Sequence, residues 1–324
     1  MADLNGRRTS RGGERAQIML VAAFVLAVTF IALAVMLNSV IYTENLATRG
    51  EDAHGSEAIA YRADMAAGTE RLIEHVNENQ TGESYDDHVA NLTTSIAAMD
   101  NGTAPIVATG GTRTKVSVMS VTRGTRIGQF NTSRNFTDVG ATTDWELANS
   151  IEGTRAFRIN ITDSSQLVEE DLISFLGGSL DPFTVRVDDG TDDWAVRIYE
   201  DDTTTDVIVD VEGGGECVAG SDPEIDLTAG TINGEPCGPL SFGDGVSTPY
   251  SLRYEQADQI QGNFSLVVDG PGSPANSSNL ASSPTGTDPF ETDALYDVTI
   301  DYVFVTANVH YATEIRVAPK ERPR

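Results

Sequence analysis

The chain is 324 residues long and carries 21 basic against 49 acidic residues, which gives a formal net charge of −28. A surface this acidic repels phosphate backbones, and this excludes nucleic acid as the default partner. Two cysteines and four dispersed histidines exclude a zinc-finger array and a disulfide-dense small protein, while the length predicts about two domains.

The first element is a short Arg-rich tail, residues 1–15, followed by an apolar segment. Residues 18–42 contain 22 apolar residues out of 25, and none of them is charged. A helix of this length spans roughly 37 Å, which is enough to cross a hydrocarbon core of about 30 Å. A cleaved signal peptide has a shorter apolar stretch, and a buried core helix is rarely so apolar. The sequence therefore predicts an uncleaved transmembrane helix over 16–43.

The charge on either side of this segment predicts the orientation of the chain. The tail has a net charge of +2, whereas residues 43–324 have a net charge of −30. Short flanks rich in arginine stay in the cytoplasm. We therefore expect a single-pass protein of the cell membrane, with a cytoplasmic tail and an extracellular C-terminal domain.

A helical stalk is predicted over residues 44–104. Its first helix carries apolar residues at helical spacing, namely Ala58, Tyr61, Met65, Leu72 and Val76. A polar break follows at 77–82, after which Ser84 and Asp87 have the spacing of a capping box. The second helix continues with an apolar stripe, Val89, Leu92, Ile96 and Met99. The pair Asn101-Gly102 predicts its end.

Residues 105–324 change to a period of two, which predicts a β-rich extracellular domain. A hairpin is expected around the Asp189-Gly190 turn, and two long strands are expected over 296–317, where Val298, Ile300, Tyr302 and Phe304 share a face. Further alternating segments occur at 115–121, 157–161, 207–211 and 264–268. A helical interruption is predicted over 165–176, and long loops are predicted over 213–245 and 270–289.

The predicted fold class is therefore α+β. It consists of an N-terminal transmembrane helix and a helical stalk, followed by a mainly antiparallel β domain that forms either a sandwich or a curved sheet.

Eight glycosylation sequons and two cysteines agree with an exported domain. Half of the 16 asparagines begin an Asn-x-Ser/Thr sequon, namely Asn79, Asn91, Asn101, Asn131, Asn135, Asn160, Asn263 and Asn276. A Thr-rich composition also generates sequons by chance, so their use stays open. Cys217 and Cys237 lie in one Gly- and Pro-rich loop, where an exported chain favours a disulfide over the alternative of two free thiols.

No catalytic constellation with specificity occurs in the sequence. The histidines lack ligand spacing, and there is neither a Gly-x-Ser-x-Gly elbow nor a phosphate-cradling loop. Calcium is the one metal with a candidate site, formed by the cluster Asp188, Asp189, Asp192 and Asp193 at the hairpin turn. With 49 acidic residues such clusters also arise as solvated turns, so we expect no metal, no cofactor and no enzymatic activity.

The junction Arg15-Ala16-Gln17, directly before the apolar segment, resembles the start of archaeal type IV pilin-like proteins. The resemblance implies a prepilin-type cut between Ala16 and Gln17 and the bundling of apolar helices into a filament. The chain departs from the pattern because Met19 and Val21 stand where that family tends to place Ser and Glu.

The composition carries a second resemblance. Lys115 and Lys320 are the only lysines, and together with the acidic surface this resembles proteins of salt-loving archaea. The chain as a whole resembles the uncharacterised, N-terminally anchored surface proteins of haloarchaea. This implies a structural or adhesive, pilin-like component of the envelope, with membrane lipid and other pilin-like or envelope subunits as partners. The alternative is a monomeric ligand-binding or sensing ectodomain.

Overall fold

The computed structural model describes Leu26, Thr29, Phe30 and residues 55–79, 84–169, 181–269 and 275–320. The chain divides into two compact units, residues 1–61 with 306–309 and residues 62–305 with 310–324. The predicted tail and most of the predicted transmembrane segment lie outside the described residues. Within the described part of the chain, no helix combines the length and the apolar character of a membrane span.

Besides the helical residues Leu26, Thr29 and Phe30, two helical stretches precede the strands in the described residues: α1 covers residues 55–79, and α2 is Tyr85–Ala108. The capping box predicted for α2 is confirmed. Ser84 Oγ accepts a hydrogen bond from the Asp87 N–H, and the Asp87 carboxylate accepts one from the Ser84 N–H. These bonds satisfy N–H groups that the first turn of a helix leaves without partners.

The end predicted for α2 at Asn101-Gly102 is wrong. The helix continues through Pro105 to Ala108. Tertiary contact explains the difference, because the Asp100 carboxylate accepts a hydrogen bond of 3.0 Å from the Val116 N–H and ties the last turns of α2 to the following strand. Helix-breaking residues are weak signals when packing holds the backbone in place.

The strands form two antiparallel sheets. They are β1 (Arg113–Gln129), β2 (Trp145–Ile151), β3 (Gly153–Ile161), β4 (Phe183–Asp188), β5 (Asp193–Glu200), β6 (Val207–Val211), β7 (Gly215–Val218), β8 (Glu224–Asp226), β9 (Thr231–Ile232), β10 (Glu235–Pro236), β11 (Tyr250–Glu255), β12 (Gly262–Asp269), β13 (Phe290–Val305) and β14 (His310–Val317). In the described residues the larger sheet has the order β10-β9-β8-β3-β12-β1-β13-β14, and the smaller has the order β2-β11-β4-β5-β6-β7.

The two sheets enclose a common apolar core, and one of them is curled into a half-barrel. Tyr254 of β11 is fully buried within it. Its ring lies 5.1 to 6.4 Å, between centroids, from those of Phe136, Trp145, Phe157, Phe183 and Phe264. Aromatic packing of this kind stabilises the contact beyond the area it buries. The predicted α+β class and antiparallel architecture are therefore confirmed.

The long strands β1 and β13 pass from a helix-covered region into the sandwich. In the first region α2 packs on both strands, and Tyr85 Oη donates a hydrogen bond of 2.9 Å to the Val121 carbonyl. The face predicted for β13 is buried throughout, at Val298, Ile300, Tyr302 and Phe304. Bulges at Met119 and Tyr296 interrupt the ladder between the two strands.

Two predicted irregular segments differ from the structure. The predicted loop 213–245 contains β7 to β10. Ile225 of β8 pairs with β3 and becomes buried, while β7 adds to β6 and the strands β9 and β10 follow β8. The predicted helix over 165–176 is, in the described residues, one 3₁₀ turn at Ser164–Gln166 followed by buried Leu167. The remainder of that segment and residues 270–274 lie outside the described residues.

Candidate functional site

A groove of about 340 Å³ lies on the face of the larger sheet that points away from the sandwich core. Strands β3, β12 and β1 form its floor, and the last residues of α1 form one wall. Side chains alternate along a strand, so Phe264 and Leu266 enter the core while Asn263 and Ser265 face the groove. We refer to this site as the arginine groove, because Arg126, Arg155 and Arg158 line it.

Arg126 of β1 is the central cation of the arginine groove. It is only 7% exposed, and its Nε donates to Ser265 Oγ at 3.1 Å while Nη1 donates to the Asn77 carbonyl at 2.8 Å. Its guanidinium also lies 5.3 Å from the centroid of the Phe130 ring. No carboxylate of the described residues lies within ion-pair distance of Arg126. Burial therefore lowers the pKa of Arg126, with the charge of Glu78 opposing the effect.

Arg155 and Arg158 lie beside it on β3. Arg158 forms ion pairs with Asp226 at 3.3 Å and with Glu78 at 4.0 Å. Arg155 is only 1% exposed and donates to the carbonyls of Leu295 and Pro319. Arg155 therefore helps to hold the sheet together, whereas Arg158 is a partly neutralised cation at the groove.

A bulge in β3 brings these two arginines to the same face. Residues three apart on a regular strand point to opposite faces. In the ladder with β12, however, Arg155 pairs with Val267 and Arg158 pairs with Ser265, so β3 contains one extra residue. Ala156 absorbs the irregularity with a φ of 51°. Left-handed backbone at a non-glycine residue is strained, and bulges of this kind re-aim side chains at functional sites.

Asn77 fixes the end of α1 over the groove. Its side chain acts as an additional strand partner, because Nδ2 donates to the Leu295 carbonyl at 2.9 Å and Oδ1 accepts from the Leu295 N–H at 2.8 Å. Leu295 precedes the bulged residue Tyr296, where the regular ladder is interrupted. An ion pair of 2.9 Å between Lys320 and Glu74 adds a second attachment of the same helix.

Two amides, an aromatic ring and a carboxylate complete the lining of the groove. Asn160 and Asn263 lie directly opposite each other on β3 and β12, and neither side chain makes a hydrogen bond within the described part of the chain. Phe130 is 46% exposed and forms an apolar wall, while Glu224 lies at the rim. The described lining residues include no histidine, cysteine or lysine. This arrangement of amides, buried arginines and an aromatic ring is suited to binding a ligand.

The predicted pair Cys217 and Cys237 forms a disulfide in the structure, with the two Cα atoms 6.2 Å apart. Cys217 belongs to β7 of the smaller sheet, and Cys237 directly follows β10 of the larger sheet. The bond therefore links the edges of the two sheets, a role that the position of both residues in one loop did not indicate.

Of the aspartates predicted as calcium ligands, Asp188 and Asp189 accept hydrogen bonds from backbone N–H groups of the hairpin turn. The Asp188 carboxylate accepts from the Gly190 N–H, and the Asp189 carboxylate accepts from the N–H groups of Thr191, Asp192 and Ser247. Asp193 pairs with Arg186 instead. No group of three or more metal-binding side chains exists among the described residues. The hydrogen bonds from Asp192, Ser247 and Thr191 lower the pKa of Asp189.

The predicted sequons fall in different environments. Asn79, Asn101 and Asn131 are exposed, whereas the other five, namely Asn91, Asn135, Asn160, Asn263 and Asn276, are half-buried. Two of the half-buried asparagines, Asn160 and Asn263, line the arginine groove. The predicted cleavage residues Ala16 and Gln17 lie outside the described residues.

Sequence reasoning missed the arginine groove. The alternation over 157–161 already indicated that Arg158 and Asn160 share the face opposite the core. The position of Arg155 depends on the bulge at Ala156, and Asn77 was interpreted only as part of a polar break between helices.

A family model matches the N-terminal part of the chain. A model described as a family of unknown function (DUF7261) matches residues 12–153, which is less than half of the chain. The matched region includes the apolar segment, both helices, β1 and β2, and thus contains Arg126 but not Arg158. No curated protein and no solved structure matches the chain significantly.

Proposed function

We propose that the chain is an N-terminally anchored cell-surface protein, a structural or adhesive, pilin-like component of the envelope. The observation that carries the proposal is the order of its parts. A short basic tail is followed by 25 residues without charge, then by helices, and then by a β-sandwich whose two sheets are linked by a disulfide. Disulfides persist in oxidising compartments, which supports an extracytoplasmic location for the sandwich.

Side chains within the apolar segment support a role for this segment in association. Leu26 and Phe30 are helical and lie one turn apart, and they are 60% and 65% exposed. Apolar side chains exposed on a helix favour burial in lipid or against neighbouring helices. The family match begins at residue 12, so the similarity includes the Arg-Ala-Gln junction as well as this segment.

N-terminal sequencing of the chain isolated from membranes and from sheared surface filaments tests the proposal. We expect the mature chain to begin at Gln17 and to be present in the filament fraction. Ala16→Trp should block the cut and remove the chain from the filaments, whereas Ala2→Trp in the same tail should change neither. An uncut chain that stays in the membrane would overturn the pilin-like assignment.

Protease added to intact cells tests the surface location separately. The β-sandwich should be digested in cells whose cytoplasmic marker protein remains intact. Complete protection of the sandwich, in cells where another surface protein is digested, would overturn the location outside the membrane.

The arginine groove favours a second candidate, a monomeric ligand-binding or sensing ectodomain. Such a protein keeps its N-terminal tail uncut in front of the apolar anchor and has no requirement for assembly. Retention of residues 1–16 together with a monomeric state in detergent would favour this candidate.

A further inference from the structure

We propose that the arginine groove binds a saccharide carrying a single acidic group, with its carboxylate on Arg126 and its hydroxyls on Asn160 and Asn263. The inference deepens the adhesive role but rests on the groove alone. It applies equally to a filament subunit and to a monomeric anchor, so its failure is separate from a failure of the pilin-like assignment.

The argument for an acidic group begins with Arg126. This side chain is more than nine-tenths buried, its Nε and Nη1 are held by Ser265 and Asn77, and its charge has no carboxylate partner among the described residues. It lines the groove, where a ligand carboxylate would meet a cation already removed from water. Charge-assisted hydrogen bonds to arginine are stronger than neutral ones and fix the geometry of a carboxylate.

The surroundings restrict the ligand to one negative charge. Asp226 and Glu78 already pair with Arg158, and Glu224 adds a further carboxylate at the rim. A ligand with several charges would be repelled by these acidic groups. Hydroxyl groups suit the remainder of the site, because carboxylates accept their hydrogen bonds and amides both donate and accept.

The shape and the walls of the groove agree with a sugar ring. Asn160 and Asn263 are directly opposed and have their hydrogen-bonding groups available, while Phe130 offers an apolar edge for the C–H groups of the ring. A volume of about 340 Å³ lies within the range of small-molecule sites. The bulge at Ala156 is a strained feature in the floor of this site.

Calorimetric titration of the full chain in detergent, at constant molar KCl, tests the proposal. The probes are glucuronic acid, galacturonic acid, their methyl esters, the parent hexoses and sulfate alone. We expect at least one of the acids to bind about tenfold or more tightly than its ester and its hexose, as expected for the loss of a charged hydrogen bond. Equal affinity for acid and ester, or no binding of either acid to the folded chain, would overturn the proposal.

Variants of the groove locate the binding. Arg126→Gln should weaken acid binding about tenfold or more, while leaving any weak binding of the ester unchanged. Because Arg126 also bridges α1 and β12, Asn263→Ala serves as a second variant that spares these hydrogen bonds and should weaken acid and ester alike. The matched control is Arg197→Gln on the smaller sheet, where Arg197 pairs with Asp210. Loss of binding in this control, or full binding in both groove variants, contradicts the assignment.

A glycan attached within the groove is the competing source of the same chemistry. Asn160 and Asn263 both begin sequons. Mass spectrometry of proteolytic peptides from the native chain should find neither asparagine modified, and Thr162→Ala, which removes the first sequon but keeps Asn160, should not alter the titration. A glycan on either asparagine would show that the groove is filled covalently and would overturn the proposal.

Discussion

Replacing Asn77 by alanine should destabilise the whole domain, because this side chain completes the hydrogen bonding of β13 beside its bulge. The change removes the acceptor of the Leu295 N–H and one of the donors to the Leu295 carbonyl. The carbonyl keeps Arg155 as a partner, but the buried N–H is left without one. A buried donor without a partner costs about 1–3 kcal/mol, so we expect the free energy of unfolding to fall by about 2 kcal/mol.

Denaturant unfolding of the full chain at molar salt, followed by circular dichroism, measures this loss as a lower midpoint at constant slope. Asn79→Ala is the matched control, because it truncates the same residue type two positions later on α1. The Asn79 amide is exposed, and its hydrogen bonds among the described residues stay within its own helix, to His75, so the control should change stability by less than about 0.5 kcal/mol. Equal effects of the two variants would refute the role assigned to Asn77.

Three further predictions concern the disulfide, the first turn of α2 and the acidic surface. Replacing Cys217 and Cys237 together by serine should lower the free energy of unfolding by about 3 kcal/mol, because the disulfide closes a ring with a sequence separation of 20. Reduction of the wild-type chain should give the same denaturant midpoint as the double variant. The Ser84 side chain and the Ser84 N–H form hydrogen bonds to the Asp87 carboxylate and lower the pKa of Asp87. The stability that the ionised carboxylate contributes to the folded state is therefore present above the pKa of Asp87 in the unfolded chain, and it is lost as the pH falls through the pKa in the folded chain. The protection factors of the amides in the first turn of α2, taken against the intrinsic exchange rate at each pH, should therefore fall in acid, and Asp87→Asn should abolish that fall. The thermal midpoint should rise between low and molar KCl, because the screening length falls from about 10 Å to about 3 Å. Conversion of about ten exposed acidic residues to amides should reduce this increase of the midpoint with KCl concentration. An unchanged increase would exclude charge screening as its cause.

Elements with a local signal were predicted correctly. Apolar residues recur at every second position on both sides of Asp189-Gly190, and this turn connects β4 and β5 in the structure. The Ser84 capping box and the buried face beginning at Val298 also depend on spacing within a single element. Such patterns survive folding because neighbouring residues alone determine them.

Features that depend on contacts between distant residues could not be predicted. The short strands β7 to β10 have few apolar residues. In the part of the chain that the structure describes, only β8 of these pairs with a strand distant in sequence, through Ile225 opposite Ile159 of β3, and β9 and β10 extend the larger sheet from β8. The arginine groove requires the extra residue of β3 at Ala156 and the attachment of Asn77 to Leu295, across a sequence separation of 218. No periodicity in the sequence encodes a register shift, so Arg155 and Arg158 were not recognised as neighbours.

The long ladder between β1 and β13 makes the helical layer and the sandwich unfold together. It runs from the pair Arg113–Val305 under α2 to the pair Gly128–Phe290 within the larger sheet. Loss of the helices would uncover one half of each strand, and loss of the sandwich would uncover the other half. Neither the helical layer nor the sandwich can therefore unfold while the other keeps its native backbone. Calorimetry of this domain should record a single peak whose van't Hoff and calorimetric enthalpies agree.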